Sequence, residues 1–289
     1  MNRLRHWFAL LLTLGIFQPV FAQDNSLLWK ISGNGLAKES YLFGTIHLIC
    51  KEDFKFDHTA KKALEQADQL WLELDLDDST LSGQMQQLSI REGMRNMSEK
   101  ITPEDAKVLD DYFTTNYGVG LAQLGVLKPF VLATMVLMKE IPCTETENFE
   151  YHLVSLAKEQ QKPIEGLETV AFQMSVFDSI PESLQIQELV TMIQDNSAAD
   201  DFRGLIEMYL SQEVEKLWAE MTDEGMFASY RSLLLDQRNQ KWVEKIMRET
   251  KESSLFIAVG SGHLAGDQGV INLLRNQGYI LEPIYSNAN

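Results

Sequence analysis

"FIAVGSGHL", residues 256–264, decides how the rest of the chain is read. Leu255 to Val259 form a continuous apolar run between Ser254 and Gly260. A short run of that kind, bounded by turn residues, reads as a strand buried on both faces. Gly260 lets the backbone turn without a Cβ, and His263 follows three residues later. Beyond it, "QGVINLLRNQG" reads as a helix closed by Gly278, and "YILEPIY" as a final strand. Apolar strands separated by helices predict the α/β class, with a mostly parallel central sheet flanked by helices. In such sheets ligands gather at the carboxyl ends of the strands, where His263 falls.

The same pattern stands near the other end of the chain as "YLFGTIHL", residues 41–48, with Gly44 and His47. With 17 Gly and 5 His in 289 residues, chance supplies about 0.3 copies of G-x-x-H, so one copy alone carries little. Two copies, each just past an apolar strand, carry more. On pattern alone, a pair of core histidines bonded to backbone explains them as well as a pair of ligands does.

Working outward, "SLLWKIS" and "SYLFGTI" are apolar runs separated by the turn-rich "GNGLAKE", a predicted hairpin. A helix over "HTAKKALEQAD" follows. Next comes "QLWLELDL" (69–76), whose alternation puts Leu70, Leu72, Leu74 and Leu76 on one face of a strand and Trp71, Glu73 and Asp75 on the other. The middle, about 80–250, reads as a large helical region. Thr102 caps "PEDAKVLDDYF", "PFVLATMVLM" reads as a buried helix, and "ASYRSLLLDQRNQKWVEKIMRET" as one long amphipathic helix. The short "KPIEGLE" reads as one more buried strand.

Glu73 is the acid that changes the weight of the two histidines. A carboxylate flanked by Leu72 and Leu74 on an interior strand is costly unless paired, hydrogen-bonded or metal-bound. On an edge strand, the same acidic face is simply solvated. Two imidazoles and a carboxylate make a divalent-metal set with open positions for water. No H-E-x-x-H helix is present. Arg238, in "LLLDQRNQKW", is either a surface residue or a guanidinium that stabilises an oxyanion or orients a carboxylate.

Bulk properties set the compartment and exclude some partners. Residues 1–22 hold Arg3 and Arg5, an apolar run, then Val20-Phe21-Ala22 with small residues at the −3 and −1 positions. That predicts a signal peptide cleaved near Ala22-Gln23, and hence an exported chain of one domain, 23–289. No later segment has the roughly 18–20 apolar residues needed to span a bilayer. The formal charge is −17 with no basic cluster, which excludes nucleic acid as a partner. Two cysteines, Cys50 and Cys143, in an exported chain predict one disulfide.

"SYLFGTIHL", "ELDL", "DQRN" and "FIAVGSGHLAGDQGVINLLRNQGY", in this order, resemble the TraB/PrgY/GumN family, over about residues 27–285. Its animal members are the Tiki proteins, secreted or membrane-tethered metal-dependent proteases. The family pattern is two G-x-x-H motifs, a glutamate after the first and an arginine before the second. By position these are Gly44–His47, Glu73, Arg238 and Gly260–His263. The bacterial branch is also similar in "LIC", in "PC" at 142–143 and in "IEGLETVAFQ" at 164–173. Those matches support the Cys50–Cys143 bridge and bring Glu168 and Gln173, with Asp75, near the site.

The resemblance implies a Tiki-like fold, shared more widely with erythromycin esterases and a haem-binding iron-regulated protein. It also implies a divalent metal (Mn, Co or Zn) on His47, His263 and Glu73, with Arg238 beside it, and cleavage of a peptide or protein substrate. Glu73 would be either a ligand or the general base. Fold kinship alone does not transfer a substrate. A periplasmic or secreted metal-dependent hydrolase, most readily a peptidase, is therefore set against a non-enzymatic protein that captures a signal peptide or haem. A scaffold with a degenerate site is a third reading, against which the intact Gly, His, Glu and Arg positions argue.

Overall fold

A computed structural model describes residues 25–195, 198–223 and 225–285. The expected signal peptide lies outside the described residues. Strands β1 (Leu28–Gly33), β2 (Ser40–Thr45), β3 (Ile49–Cys50), β4 (Gln69–Leu72), β5 (Thr146–Glu147), β6 (Ile164–Gly166), β7 (Leu255–Gly260) and β8 (Tyr279–Ile284) make two sheets. The larger is six-stranded in the order β6-β4-β7-β2-β1-β8, and β3 pairs with β5 in a separate two-stranded ribbon. β6, β4, β7 and β2 are mutually parallel, while β1 runs antiparallel to both β2 and β8. The α/β class and the mostly parallel sheet follow as the apolar strands predict, for β7 is buried from Leu255 to Val259 and β2 along its whole length. The hairpin of β1 with β2 is present as well.

β2 and β7 are neighbours, and their register sets Gly44 opposite Val259 and Thr45 opposite Gly260. The two G-x-x-H segments therefore leave the sheet side by side at the same edge. Gly44 is demanded by packing: a Cβ there would lie 2.6 Å from Leu264 Cδ1 and 3.3 Å from the Ser261 backbone. The turn that carries His263 thus rests directly on the strand that delivers His47.

Three expectations are corrected. The strand over 69–76 stops at Leu72, and Leu70, Trp71 and Leu72 are all buried, so no solvated face alternates with a core face. The reason is topological: β4 lies inside the sheet between β6 and β7, which also overturns the edge-strand reading of Glu73. Past Leu72 the two backbones stay linked, Leu167 and Glu168 donating to the carbonyls of Leu72 and Glu73 at 2.8 and 2.9 Å. The apolar segment 129–138 is a helix, Pro129–Glu140, that buries Pro129, Leu132 and Val136 but leaves Leu137 and Met138 exposed. It belongs to a second hydrophobic cluster, with Leu109, Phe113 and Leu189, away from the sheet.

The third correction concerns the long amphipathic helix. It is two helices, Gly225–Arg231 and Gln237–Glu249, joined through a π-helical turn at Ser232–Asp236. Such turns carry one residue more than the α-helix allows and recur at functional sites. Here the turn offers the Leu234 carbonyl to Arg238 at 3.0 Å. Other predicted elements hold: Thr102 caps the helix Pro103–Tyr117 by accepting the Asp105 N–H, and "KPIEGLE" contains β6. Helices dominate the middle of the chain, and Cys50 and Cys143 are bridged.

Candidate active site

The site is built around a missing side chain. A Cβ on Gly260 would sit 3.3 Å from Glu73 Oε1, 3.7 Å from His263 Cδ2 and 3.8 Å from His47 Nε2. Three strand ends, those of β2, β4 and β7, bring these groups together. Glu73 follows β4 by one residue, His47 follows β2 by two, and His263 ends a 3₁₀ turn after β7. Glycine at 260 leaves the notch between them empty, and its backbone N–H donates to Glu73 Oε1 at 2.9 Å.

Arg238 ties the buried half of the site together. Its Nη2 donates to Glu73 Oε2 and to Glu168 Oε1, each at 2.7 Å, and its Nε bonds to both Glu168 oxygens at 3.2 Å. Nη1 reaches His263 Nε2 at 3.1 Å. The guanidinium also stacks over Trp242, 4.7 Å from its ring centre, and Trp242 Nε1 donates to Glu168 at 3.0 Å. Gln173 Nε2 completes Glu73 Oε2 at 3.1 Å. A planar fork with five donors suits two carboxylates at once, which an ammonium does not.

The hydrogen bonds assign the proton on His263. Asn239 Nδ2 donates to the carbonyl of Gln268 at 2.8 Å, so Asn239 Oδ1 is the atom that faces His263 Nδ1 at 2.6 Å. Nδ1 therefore carries the hydrogen. Nε2 keeps a lone pair, since its neighbour Arg238 can only donate. Burial first, then the Arg238 charge, lower His263 to about 3. The ring is neutral at physiological pH.

His47 is held differently. Its side chain is 67% exposed, and Nδ1 lies 2.9 Å from Glu150 Oε1. Desolvation would lower it, but the Glu150 hydrogen bond and charge, then the Glu73 charge, outweigh this and raise it to about 9. With so much of the ring open to water, the Glu150 bond is the cause that counts. Burial raises the Glu73 carboxyl, yet Arg238 above all brings it down to about 2. His263 adds to that only when protonated, so near neutrality Arg238, His47 and the Gly260 N–H hold the carboxyl down. Burial raises Glu168 despite Arg238.

Of the residues expected at the site, His47, Glu73, Glu168, Gln173, Arg238, Gly260 and His263 are gathered here, while Gly44 packs beneath the turn that carries His263. Asp75 is not among the contacts of this cluster: it is half-exposed and accepts the Asp77 N–H in a local turn at 3.0 Å. Arg238 and Asn239 are both buried, against the surface reading of that helix. Sequence reasoning missed Glu150, Asn239 as a histidine partner, and Trp242. Glu150 carries a weak signal, an acid in the first turn of a helix behind the Asn148 cap.

Among the described residues, no group of three or more His, Cys, Asp or Glu is gathered so that it could hold a metal ion. The donor chemistry nevertheless fits one. His263 Nε2 has a lone pair, His47 Nε2 faces the notch, and Glu73 Oε1 faces it too, each backed by a second residue that fixes its orientation. Arg238 would have to yield His263 Nε2 for that nitrogen to bind anything else.

Known proteins are similar to this chain in sequence. Metalloprotease TIKI1 of Danio rerio is 21% identical over 313 residues, covering 89% of this chain and 63% of its own length. The chain thus spans less than two thirds of that relative. The uncharacterized protein YbaP of Shigella flexneri is 24% identical over 82% of this chain and 88% of its own. Metalloprotease TIKI2 of Xenopus tropicalis is 32% identical over 66 residues, 22% of this chain and 13% of its own. No solved structure matches. The TraB/PrgY/gumN family model matches residues 27–283, a span that takes in both G-x-x-H turns, Glu73 and Arg238, and the chain belongs to that family.

Proposed function

We propose that this chain is an exported metal-dependent hydrolase that cleaves peptide bonds, with His47, His263 and Glu73 as the metal-holding residues. The observation that carries the reading is the convergence of His47 Nε2, the His263 ring and Glu73 Oε1 within 3.8 Å of the missing Gly260 side chain. Similarity to two metalloproteases supports the reaction class. The bridged Cys50 and Cys143 support an oxidising compartment, periplasmic or extracellular. A bound divalent ion, Mn, Co or Zn, would polarise the scissile carbonyl and acidify a water.

The chain's own residues divide the remaining work. Glu73 has Oε2 occupied by Arg238 and Gln173, so only Oε1 faces the notch. A carboxyl brought to about 2 is poorly matched to proton abstraction near neutral pH, which favours the ligand role over the general base. Arg238 stands beside the notch with fixed donors and a low-dielectric surround, suited to a developing oxyanion once Nη1 leaves His263. His47, open to solvent, forms the side from which substrate enters.

The binding-protein reading has one observation in its favour. Arg238 already engages both Glu73 and His263, which leaves the solvent-open His47 ring as the group free to meet a captured peptide or haem. Turnover separates the two. Purified mature chain, stripped of metal and reconstituted with Mn, Co or Zn, is expected to cleave a peptide library, whereas His47→Ala and His263→Ala lose both metal and cleavage. Variants that bind and cleave as the wild type does refute the site. Stoichiometric peptide capture without product under every metal, or a haem Soret band, selects the binding reading.

A further inference from the structure

Glu150 is buried, and its two oxygens are used unequally. Oε1 accepts from Thr45 Oγ1 at 2.6 Å and faces His47 Nδ1 at 2.9 Å. Oε2 is buried with no hydrogen-bond partner. A buried carboxylate with an orphaned oxygen costs stability, so packing does not explain it. The segment around it is anchored to the His47 loop at several points. Asn148 Nδ2 donates to the His47 carbonyl at 2.5 Å, β5 pairs with β3, Lys51 N–H bonds the Glu145 carbonyl at 3.0 Å, and the disulfide closes the far end. The start of the Phe149–Glu159 helix thus grips His47 by both backbone and ring.

We propose that Glu150 is the positioning residue of His47, keeping the hydrogen on Nδ1 and Nε2 turned to the notch beside Gly260. A carboxylate that already accepts from Thr45 offers Nδ1 only an acceptor, so the hydrogen resides there whatever the charge of the ring. Once the ring is neutral, Nε2 is the nitrogen left to meet a metal or a substrate. His263 receives the same service from Asn239, a neutral amide. The exposed ring has a carboxylate behind it because solvent and rotamer freedom would otherwise release it. This inference rests on the proposed function for its metal readout alone.

The test uses the full mature chain with Glu150→Leu, which keeps volume and removes the acceptor, and Glu150→Gln, which keeps an acceptor oxygen. In the metal-free protein, imidazole-selective 15N NMR is expected to show a slowly exchanging, downfield Nδ1–H for His47. That signal weakens in the Gln variant and vanishes in the Leu variant, while the His263 signals stay in place. Manganese affinity by calorimetry is expected to fall about 10–100-fold in the Leu variant, with partial rescue by Gln. An unchanged His47 Nδ1–H signal in Glu150→Leu overturns the proposal, and so does one unchanged in Glu150→Gln if the Leu variant does not fold. Wild type that binds none of manganese, cobalt and zinc refutes the metal centre, and the imidazole spectra still decide the role of Glu150.

Discussion

His47 and His263 leave neighbouring parallel strands at one sheet edge, three residues after equivalent glycines, yet the molecule treats them in opposite ways. His263 is 5% exposed, bracketed by Asn239 and Arg238, and held neutral with its value near 3. His47 is open to solvent, backed by Glu150, and held charged with its value near 9. Their glycines differ too. Gly44 is required by packing against Leu264, whereas Gly260 leaves space that a reactant could fill. A shared motif therefore specifies where a side chain emerges, and long-range partners specify what it can do there.

The strongest way to break the buried half is Arg238→Ala. It leaves Glu73 and Glu168 facing one another without a cation, at about 3–5 kcal/mol of stability, readable as a loss of urea midpoint. Activity is expected to fall by about 10²–10³-fold if Arg238 serves the oxyanion. The exposed half has its own anchor. Replacing both Cys50 and Cys143 by Ser is expected to cost about 2–4 kcal/mol, with hydrogen exchange rising around residues 47–51 and 143–150 while the His263 turn keeps its protection.

The glycines sharpen the contrast at smaller scale. Gly44→Ala forces a Cβ to 2.6 Å from Leu264 Cδ1 and is expected to cost about 1–3 kcal/mol in folding. Gly260→Ala meets Glu73 Oε1 at 3.3 Å, a contact that asks the carboxylate to give by only a few tenths of an ångström, so its thermal midpoint should move less than that of Gly44→Ala while metal binding and turnover drop. Equal effects of the two substitutions on stability would break the comparison.

Acid and alkali should separate the histidines most gently. Both start from an unfolded value of 6.5. His47, raised to about 9, favours the folded state fully below 6.5 and loses that contribution as pH climbs through 9. His263, lowered to about 3, contributes above 6.5 and loses it as pH falls towards 3. Glu73 adds to the acid side, its contribution present above 4.5 and lost as pH falls through 2. In chelator, stability should therefore peak near pH 6.5, measured by urea titration across pH. His47→Ala should flatten the alkaline limb and His263→Ala the acid limb. The alkaline limb is the shallower, because solvent screens an exposed ring.

Much of this was legible in one dimension. The apolar runs of β2 and β7 announced a covered parallel sheet, and the glycines and histidines after them announced its functional edge. Thr102, with Pro103 and two acids, marked a helix start that the backbone obeys. The alternation at 69–76 misled because its period came from residues beyond the end of β4, where no pleat exists to sort them onto faces. Pattern alone left Arg238 between a surface residue and a buried guanidinium, because a charged residue on an amphipathic helix usually faces water, and only Glu73 and Glu168 arriving from two other strand ends make its burial tolerable.

Local pattern by itself located the apolar strands of the larger sheet, the edge where the chemistry would sit, and the residue types sent there, because periodicity and glycine freedom act over a few residues. The tertiary structure alone decided which histidine is neutral and which is charged, and which glycine packs and which leaves room. Those properties arise from Asn239, Glu150, Arg238 and Leu264, partners between 24 and 220 residues away from the groups they control. Electrostatics and close packing act through space, and no spacing along the chain encodes them.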